Sequence, residues 1–254
     1  ITDKADQSPV TVADREAESA IRALIRAERP QDGIIGEEHG AHQEDAEWLW
    51  VIDPIDGTKA FLTGRPIFAT LVALLHRGTP VLGIIDQPIT GDRWIGVVGQ
   101  PTRFNGRPAQ VRACPTLGQA ILSTTSPDLF PDADLARFRR LSTRTKFTVY
   151  GGDAYGYGLL AAGCQDLVVE AGLKLYDFAA LAPVVIGAGG SATDWHGRPL
   201  GRDSDGRVLT TGDARLHAQE RRGPAPHRDA QLGVSPATAA ARSMSIPSRR
   251  SRNC

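Results

Sequence analysis

The chain has 254 residues, 41% of them apolar, and its 29 basic and 29 acidic side chains cancel. That length supports one large or two medium domains with a proper core, and the composition is that of an ordinary globular protein. No apolar run approaches the roughly 20 residues that span a bilayer, and Ile1 to Asp6 lack the basic start and apolar stretch of a signal peptide, so the expectation is a cytoplasmic protein with no membrane association.

Residues 11–29 read as a helix: Thr11 can cap it, Asp14 stands three residues on, and Ala17, Ala20, Ile21, Leu24 and Ile25 recur at helical spacing. Gly33 to Gly36 is a short strand running into Glu37 and Glu38. Trp48 to Ile52 is a continuous apolar run bounded by Asp-Pro, the pattern of a buried strand. Ile67 to Leu75, Val81 to Ile85 and Trp94 to Val98 read as further strands, and Asn105-Gly106 as a hairpin turn. Beyond residue 113 the texture becomes richer in helix. Ala120 to Thr124 and Asp166 to Glu170 are strand candidates; Asp132 to Leu141, Ala154 to Ala162 and Asp177 to Gly187 are helix candidates. Mixed strands and helices with several hairpins indicate an α+β protein with mixed α/β layers.

The expected organisation is an N-terminal α+β part, 1–113, a C-terminal α/β part, 114–217, and a basic tail, 218–254. The tail carries seven arginines against Glu220 and Asp229, about +5, leaving about −5 on the rest. Such a tail can tether nucleic acid or membrane. Without aromatics or helical periodicity it reads instead as a disordered, solvated segment with no nucleic-acid partner. Cys114, Cys164 and Cys254 show no metal-type spacing and read as buried or incidental thiols in a reducing compartment.

The segment richest in chemistry is Asp53-Pro54-Ile55-Asp56-Gly57-Thr58. A buried strand ends by presenting two carboxylates three residues apart, with Pro54 stiffening the turn and Gly57 allowing close approach of a ligand. Amides around Gly57 and Thr58 can face an anion, and paired hard oxygen anions beside them suit magnesium and phosphate. The same residues also make an ordinary surface turn. Glu37 and Glu38 are either solvated neighbours or, with Asp53 and Asp56, part of a two-metal site. Asp177 can cap the helix after it or bind metal; acids converging without cations would raise one another's pKa, so such a cluster implies bound cations.

Gly36-Glu37-Glu38, Asp53 to Thr58, and Tyr176-Asp177 near Gly189-Gly190 together resemble, in order and spacing, the signature set of the inositol monophosphatase family, over roughly residues 6–217. The resemblance implies a layered α-β-α-β-α sandwich of the sugar-phosphatase type and an Mg2+-dependent phosphate monoesterase using two or three ions. It also implies a small phosphorylated substrate and a homodimer. By the same resemblance Glu37, Asp53 and the Ile55 carbonyl would bind one ion, and Asp53, Asp56 and Asp177 a second. Glu37 and Thr58 would orient the attacking water. Gly57, Thr58 and nearby N–H groups would hold the phosphate, and Asp56, Gly152, Asp153, Ala154, Glu170 and Asp177 would complete the substrate pocket.

Asp56 to Phe61, Val81 to Gly96, Thr124 to Pro127 and Gly151 to Tyr155 look like the histidinol-phosphate phosphatases of the family. An Asp at 153 could pair with a cationic amine or imidazole, or merely cap the helix that follows. The alternatives are an inositol-1-monophosphatase, a 3′-phosphonucleotide phosphatase, or an inactive homologue acting in binding or assembly. The family pattern would also place a helix before Ile1, and a last strand and helix after Leu209, whereas the residues from Gln219 depart from it.

Overall fold

Alternating burial along the strands explains how the chain layers itself. In the computed structural model, which describes residues 2–3 and 9–221, the expectations for Cys254 and for the tail past Arg221 lie outside the described residues. Strands β1 (Thr2–Asp3) and β2 (Pro9–Val10) pair antiparallel. Helix α1 (Val12–Glu28) opens on the expected capping box: Thr11 Oγ1 accepts from the Asp14 amide, and Asp14 Oδ2 accepts from the Thr11 amide at 2.8 Å. Its buried stripe differs from the apolar one read in sequence. Leu24 is exposed, and the buried positions are Asp14, Glu18, Arg22 and Ile25.

The first sheet contains β3 (Gly33–Gly36), β4 (Gly40–His42), β5 (Trp48–Asp56), β6 (Ala69–His76), β7 (Thr79–Gln87), β8 (Asp92–Val97), β9 (Arg103–Phe104) and β10 (Arg107–Pro108). Its order is β10-β9-β8-β7-β6-β5-β3-β4, with β3 and β5 parallel and the other neighbours antiparallel. Asn105 and Gly106 both take positive φ, as a two-residue hairpin turn requires. A short helix, α2 (Thr58–Leu62), leaves the end of β5.

The second sheet holds β11 (Ile121–Thr124), β12 (Phe147–Tyr150), β13 (Leu167–Glu170), β14 (Ser191–Thr193) and β15 (Val208–Thr211), in the order β12-β11-β13-β15-β14. Helices α3 (Asp132–Ser142), α4 (Asp153–Ala161), α5 (Leu175–Phe178), α6 (Leu181–Gly187) and α7 (Ala214–Arg221) accompany it. The helix expected from Asp177 to Gly187 is two helices parted at Ala179-Ala180, and Asp177 is the third residue of α5 rather than its cap.

Period-two burial assigns each strand face to a layer. Ile34 and Ile52 pack with Ile25 of α1, while Leu49 and Val51 of the same sheet join Phe178, Val184 and Val185 on its other side. In β13, Val168 belongs to that central cluster, whereas Leu167 and Val169 turn outward to Phe138 of α3 and Leu216 of α7. The order is therefore α1, first sheet, α4–α6, second sheet, α3 with α7: the expected α-β-α-β-α sandwich. Close contact of the first sheet with the middle helices depends on Gly83 and Gly96, where any Cβ would overlap the backbone of Ala180 and of Pro183-Val184.

The expected tail boundary at 218 is too early. Gln219 accepts from the Leu117 amide at 3.2 Å and donates to the Pro115 carbonyl at 2.7 Å, and Glu220 pairs with Arg137 at 2.8 Å. Leu216, fully buried, is the apolar anchor of α7. The helix is tied down by polar contacts, which hydrophobic periodicity does not reveal. Among the described residues, no helix is long and apolar enough to cross a membrane, and Cys114 and Cys164 are free thiols.

Candidate active site

The site grows from an irregularity in β5. On a regular strand, residues three apart face opposite sides. Here the register with β6 slips between Asp53 and Asp56, a bulge that lets both carboxylates reach one cluster. The motif read in sequence as a turn after the strand is thus the bulged end of the strand itself. Pro54 fits because a bulge requires no amide donor there, and its carbonyl accepts from Thr70 Oγ1 at 2.8 Å. Asp53 Oδ1 accepts from the Ile55 amide at 3.0 Å, and Thr58 Oγ1 donates to the Ile55 carbonyl at 3.2 Å. The chain turns only at Gly57, whose φ of 80° is left-handed, and α2 starts directly after it.

Two further elements complete the cluster. In α5, Asp177 turns its carboxylate back to accept from the Lys174 amide at 2.6 Å. One ligating oxygen from each of Asp53, Asp56 and Asp177 lies within 4.8 Å of the others. Glu37 follows β3, its amide tied to the Ile52 carbonyl at 3.1 Å, and its carboxyl shares a hydrogen bond with Asp53. The structure thus brings together the four acids singled out in sequence and sets Ile55, Gly57 and Thr58 beside them.

Burial pushes the Asp53 carboxyl well above the usual carboxylate range, and Asp56, Glu37 and Asp177 push it further. Asp56 is raised by burial and by Asp153, Asp177 and Glu37. The charges that act most strongly on Asp53 and Asp56 are those of other acids. A buried all-oxygen donor set held together against its own repulsion fits a hard divalent cation.

The opposite wall is the start of α4. Asp56 Oδ2 accepts from the Ala154 amide at 2.6 Å, so the second half of the chain holds one acid of the cluster. Gly152 packs against Ser123 Oγ. Asp153 takes a positive φ of 43° and sets its carboxylate against Gly57, where an added Cβ would come within 3.0 Å of Oδ2. Burial raises the Asp153 carboxyl, and Arg65 and Lys59 oppose that rise. Asp153 begins α4 itself, after Gly152 at the N-cap position, so the capping role considered for it does not hold. Between the walls lies a cleft of about 490 Å³ lined by Glu37, Gly57, Thr58, Lys59, Arg65, Thr125, Ser126, Asp128 and Asp153, among others.

Glu170 sits apart. It is 2% exposed at the end of β13, and it accepts from Thr124 Oγ1 at 3.0 Å and from the Thr125 amide at 2.6 Å. Burial raises its carboxyl to about 7 even against those donors. It does not line the cleft; its partner Thr125 does. Sequence reading gave no role to Arg65, Ser126 and Asp128. Ser126 falls within the Thr124 to Pro127 stretch of the resemblance, whereas no motif marks Arg65 or Asp128, although a cation seven residues after Thr58 was a signal that charge balance offered.

A model of the inositol monophosphatase family matches residues 2–230. The chain is 50% identical over 228 residues to the bifunctional phosphatase IMPL2, chloroplastic, of Arabidopsis thaliana, covering 86% of this chain and 66% of that protein, which is thus the longer of the two. It is 35% identical to a histidinol-phosphatase of Chlorobaculum parvum, over 81% of this chain and 80% of that one. A solved inositol monophosphatase from Zymomonas mobilis shares 53% identity and superposes with a TM-score of 0.80, covering 87% of this chain and 86% of that one. Fold, acid cluster and relatives together define a hydrolase of phosphate monoesters. Within that class, the chain belongs to the inositol monophosphatase family.

Proposed function

We propose that this chain is an Mg2+-dependent histidinol-phosphate phosphatase. The observation that carries the metal half is the convergence of Asp53, Asp56 and Asp177 within 4.8 Å, with Glu37 bonded to Asp53. Glu37, Asp53, Asp56, Asp177 and the Ile55 carbonyl would hold the ions. Bound Mg2+ would neutralise the phosphate, lower the pKa of an attacking water and stabilise the departing alkoxide.

The chain's own groups do the rest. Glu37 accepts the proton of the attacking water, and Thr58 Oγ1, anchored on the Ile55 carbonyl, helps to orient it. Amides after Gly57 open α2 without intrahelical acceptors and face the phosphate oxygens. On the leaving-group side Asp153 presents a carboxylate, and Thr125, which bonds Glu170, forms part of the wall. A carboxylate there favours a leaving group that carries a cationic amine and imidazole. The Chlorobaculum histidinol-phosphatase supports this choice.

Inositol 1-phosphate is the second reading, favoured by the Zymomonas inositol monophosphatase at 53% identity. Purified chain with Mg2+ should turn over histidinol phosphate at a kcat/KM at least tenfold above that for inositol 1-phosphate or a 3′-phosphonucleotide. The reverse order would replace the substrate assignment, and no turnover of any phosphate ester would remove the enzyme reading.

A further inference from the structure

The buried polar stripe of α1 ends behind Glu37. Glu18 is completely buried, and its Oε2 accepts from the Glu38 amide at 2.7 Å while Oε1 accepts from the His39 amide at 3.2 Å. Arg22, 6% exposed, pairs with Glu18 at 2.6 Å and donates through Nη2 to the Gly40 carbonyl. One helical turn thus grips three consecutive residues of the loop that follows Glu37. On its other side Glu37 is pinned by its amide to β5. Gly36 completes the fit, because a Cβ there would overlap the Glu18 carboxylate. A side chain at position 36 would expel the clamp.

A buried ion pair contributes little net stability, and an apolar pair of similar volume is often as good. Stability alone therefore does not account for this one. What an apolar pair could not supply is direction: acceptors for two adjacent amides and a donor for the next carbonyl, which together fix where Glu37 stands. We propose that Glu18 and Arg22 are positioning residues that set the Glu37 carboxylate in the acid cluster and so tune its affinity for divalent cations. The inference rests on the metal-site reading above.

The test uses the full chain, with Mn2+ binding followed by electron paramagnetic resonance and turnover measured alongside. Glu18→Gln keeps the shape but turns an amide donor towards other donors. It should raise the Mn2+ dissociation constant about tenfold or more, the scale seen when partners of metal ligands are lost. Its kcat at saturating metal should stay within about threefold of wild type. Arg22→Lys keeps the charge but loses the fork, so it should shift the constant the same way by about threefold. Ile25→Ala, which loosens α1 without touching the clamp, should lower Tm and leave Mn2+ binding unchanged. If both clamp variants lower Tm yet bind Mn2+ as tightly as wild type, the residues are structural only. If Glu18→Gln does not fold, Arg22→Lys decides by the same criterion. A wild-type chain that binds no Mn2+ at millimolar concentration would overturn the metal-site reading and the clamp with it.

Discussion

Carboxylates are buried in this protein in two contrasting ways. Glu170 sits alone with two donors, Thr124 and the Thr125 amide, and Glu220 lies against the Arg137 guanidinium. Asp53 and Asp56 have one backbone donor each, from Ile55 and Ala154, and otherwise meet acids. Both kinds are desolvated, so burial does not distinguish them. The difference lies in what surrounds the charge. An acid with donors can be replaced by a neutral isostere at a cost in stability, whereas an acid among acids destabilises the metal-free fold and earns its place only when a cation arrives.

The sharpest way to break that contrast is Asp53→Asn. Removing a charge from the cluster should cut turnover about a thousandfold, since stabilisation by a bound cation amounts to several kcal/mol. The metal-free chain should keep or raise its Tm, because one repelling carboxylate is gone. A large fall in Tm without metal would show that Asp53 is structural. Metal sharpens the point from the other side: at one hundred times its Kd, Mg2+ should stabilise the wild type by about 2.7 kcal/mol and the variant much less.

Next in size is the pH dependence of Glu170. Its folded pKa of about 7 stands above the usual 4.5. Between those values the folded state holds a proton that the unfolded state has released, so stability falls as pH rises through this window and levels off above it. The loss attached to this group is about 3 kcal/mol. Glu170→Gln, which mimics the protonated acid, should therefore flatten the fall seen by urea denaturation in EDTA between pH 5 and 8. An unchanged slope would mean that Glu170 is ionised at little cost.

The contrast also explains what was legible in sequence. Asp53, Asp56 and Gly57 stand in one short motif whose chemistry is local, Glu37 follows a recognisable strand, and Asp177 opens a recognisable helix. The α+β class followed from period-two and period-3.6 patterns, and the five-layer order from the family resemblance. Three things stayed hidden for physical reasons. The bulge in β5 is set by pairing with β6, which no local pattern encodes. Glu18 and Arg22, four apart on a helix, look like a solvated surface pair, and only the loop folded over them makes them internal. Arg65 reaches the cleft through tertiary packing against Gly151, 86 residues further along the chain.

Glu220, paired with Arg137 through Oε1, provides a smaller test of the class that meets donors. Its side chain is 7% exposed beside Arg137, and Gln219 bonds the loop before β11. A chain ending at 221 should keep the Tm of the full chain. Ending it at 217 removes the carboxylate that pairs with Arg137 and should cost about 2 kcal/mol, the scale of a partly buried charged hydrogen bond. Equal Tm values for the two truncations would return the boundary to the position first read in sequence.

Asp153 falls between the two classes and carries the smallest expected effect. It has a like-charged neighbour in Asp56, yet Arg65 and Lys59 act on it from the cleft side. If its carboxylate serves a cationic leaving group, Asp153→Ala should lower kcat/KM for histidinol phosphate about tenfold, roughly 1.4 kcal/mol. The value for an ester with a neutral leaving group should move less than threefold. If instead the carboxylate chiefly offsets Arg65, its loss leaves that cation unopposed, and efficiency should rise for esters whose leaving group carries a second anion. Asp153→Asn separates charge from shape: it keeps a side chain against Gly57, so only the charge-dependent part of the change should persist. Equal losses for cationic and neutral substrates in both variants would show that Asp153 shapes the turn before α4 and does not read the leaving group.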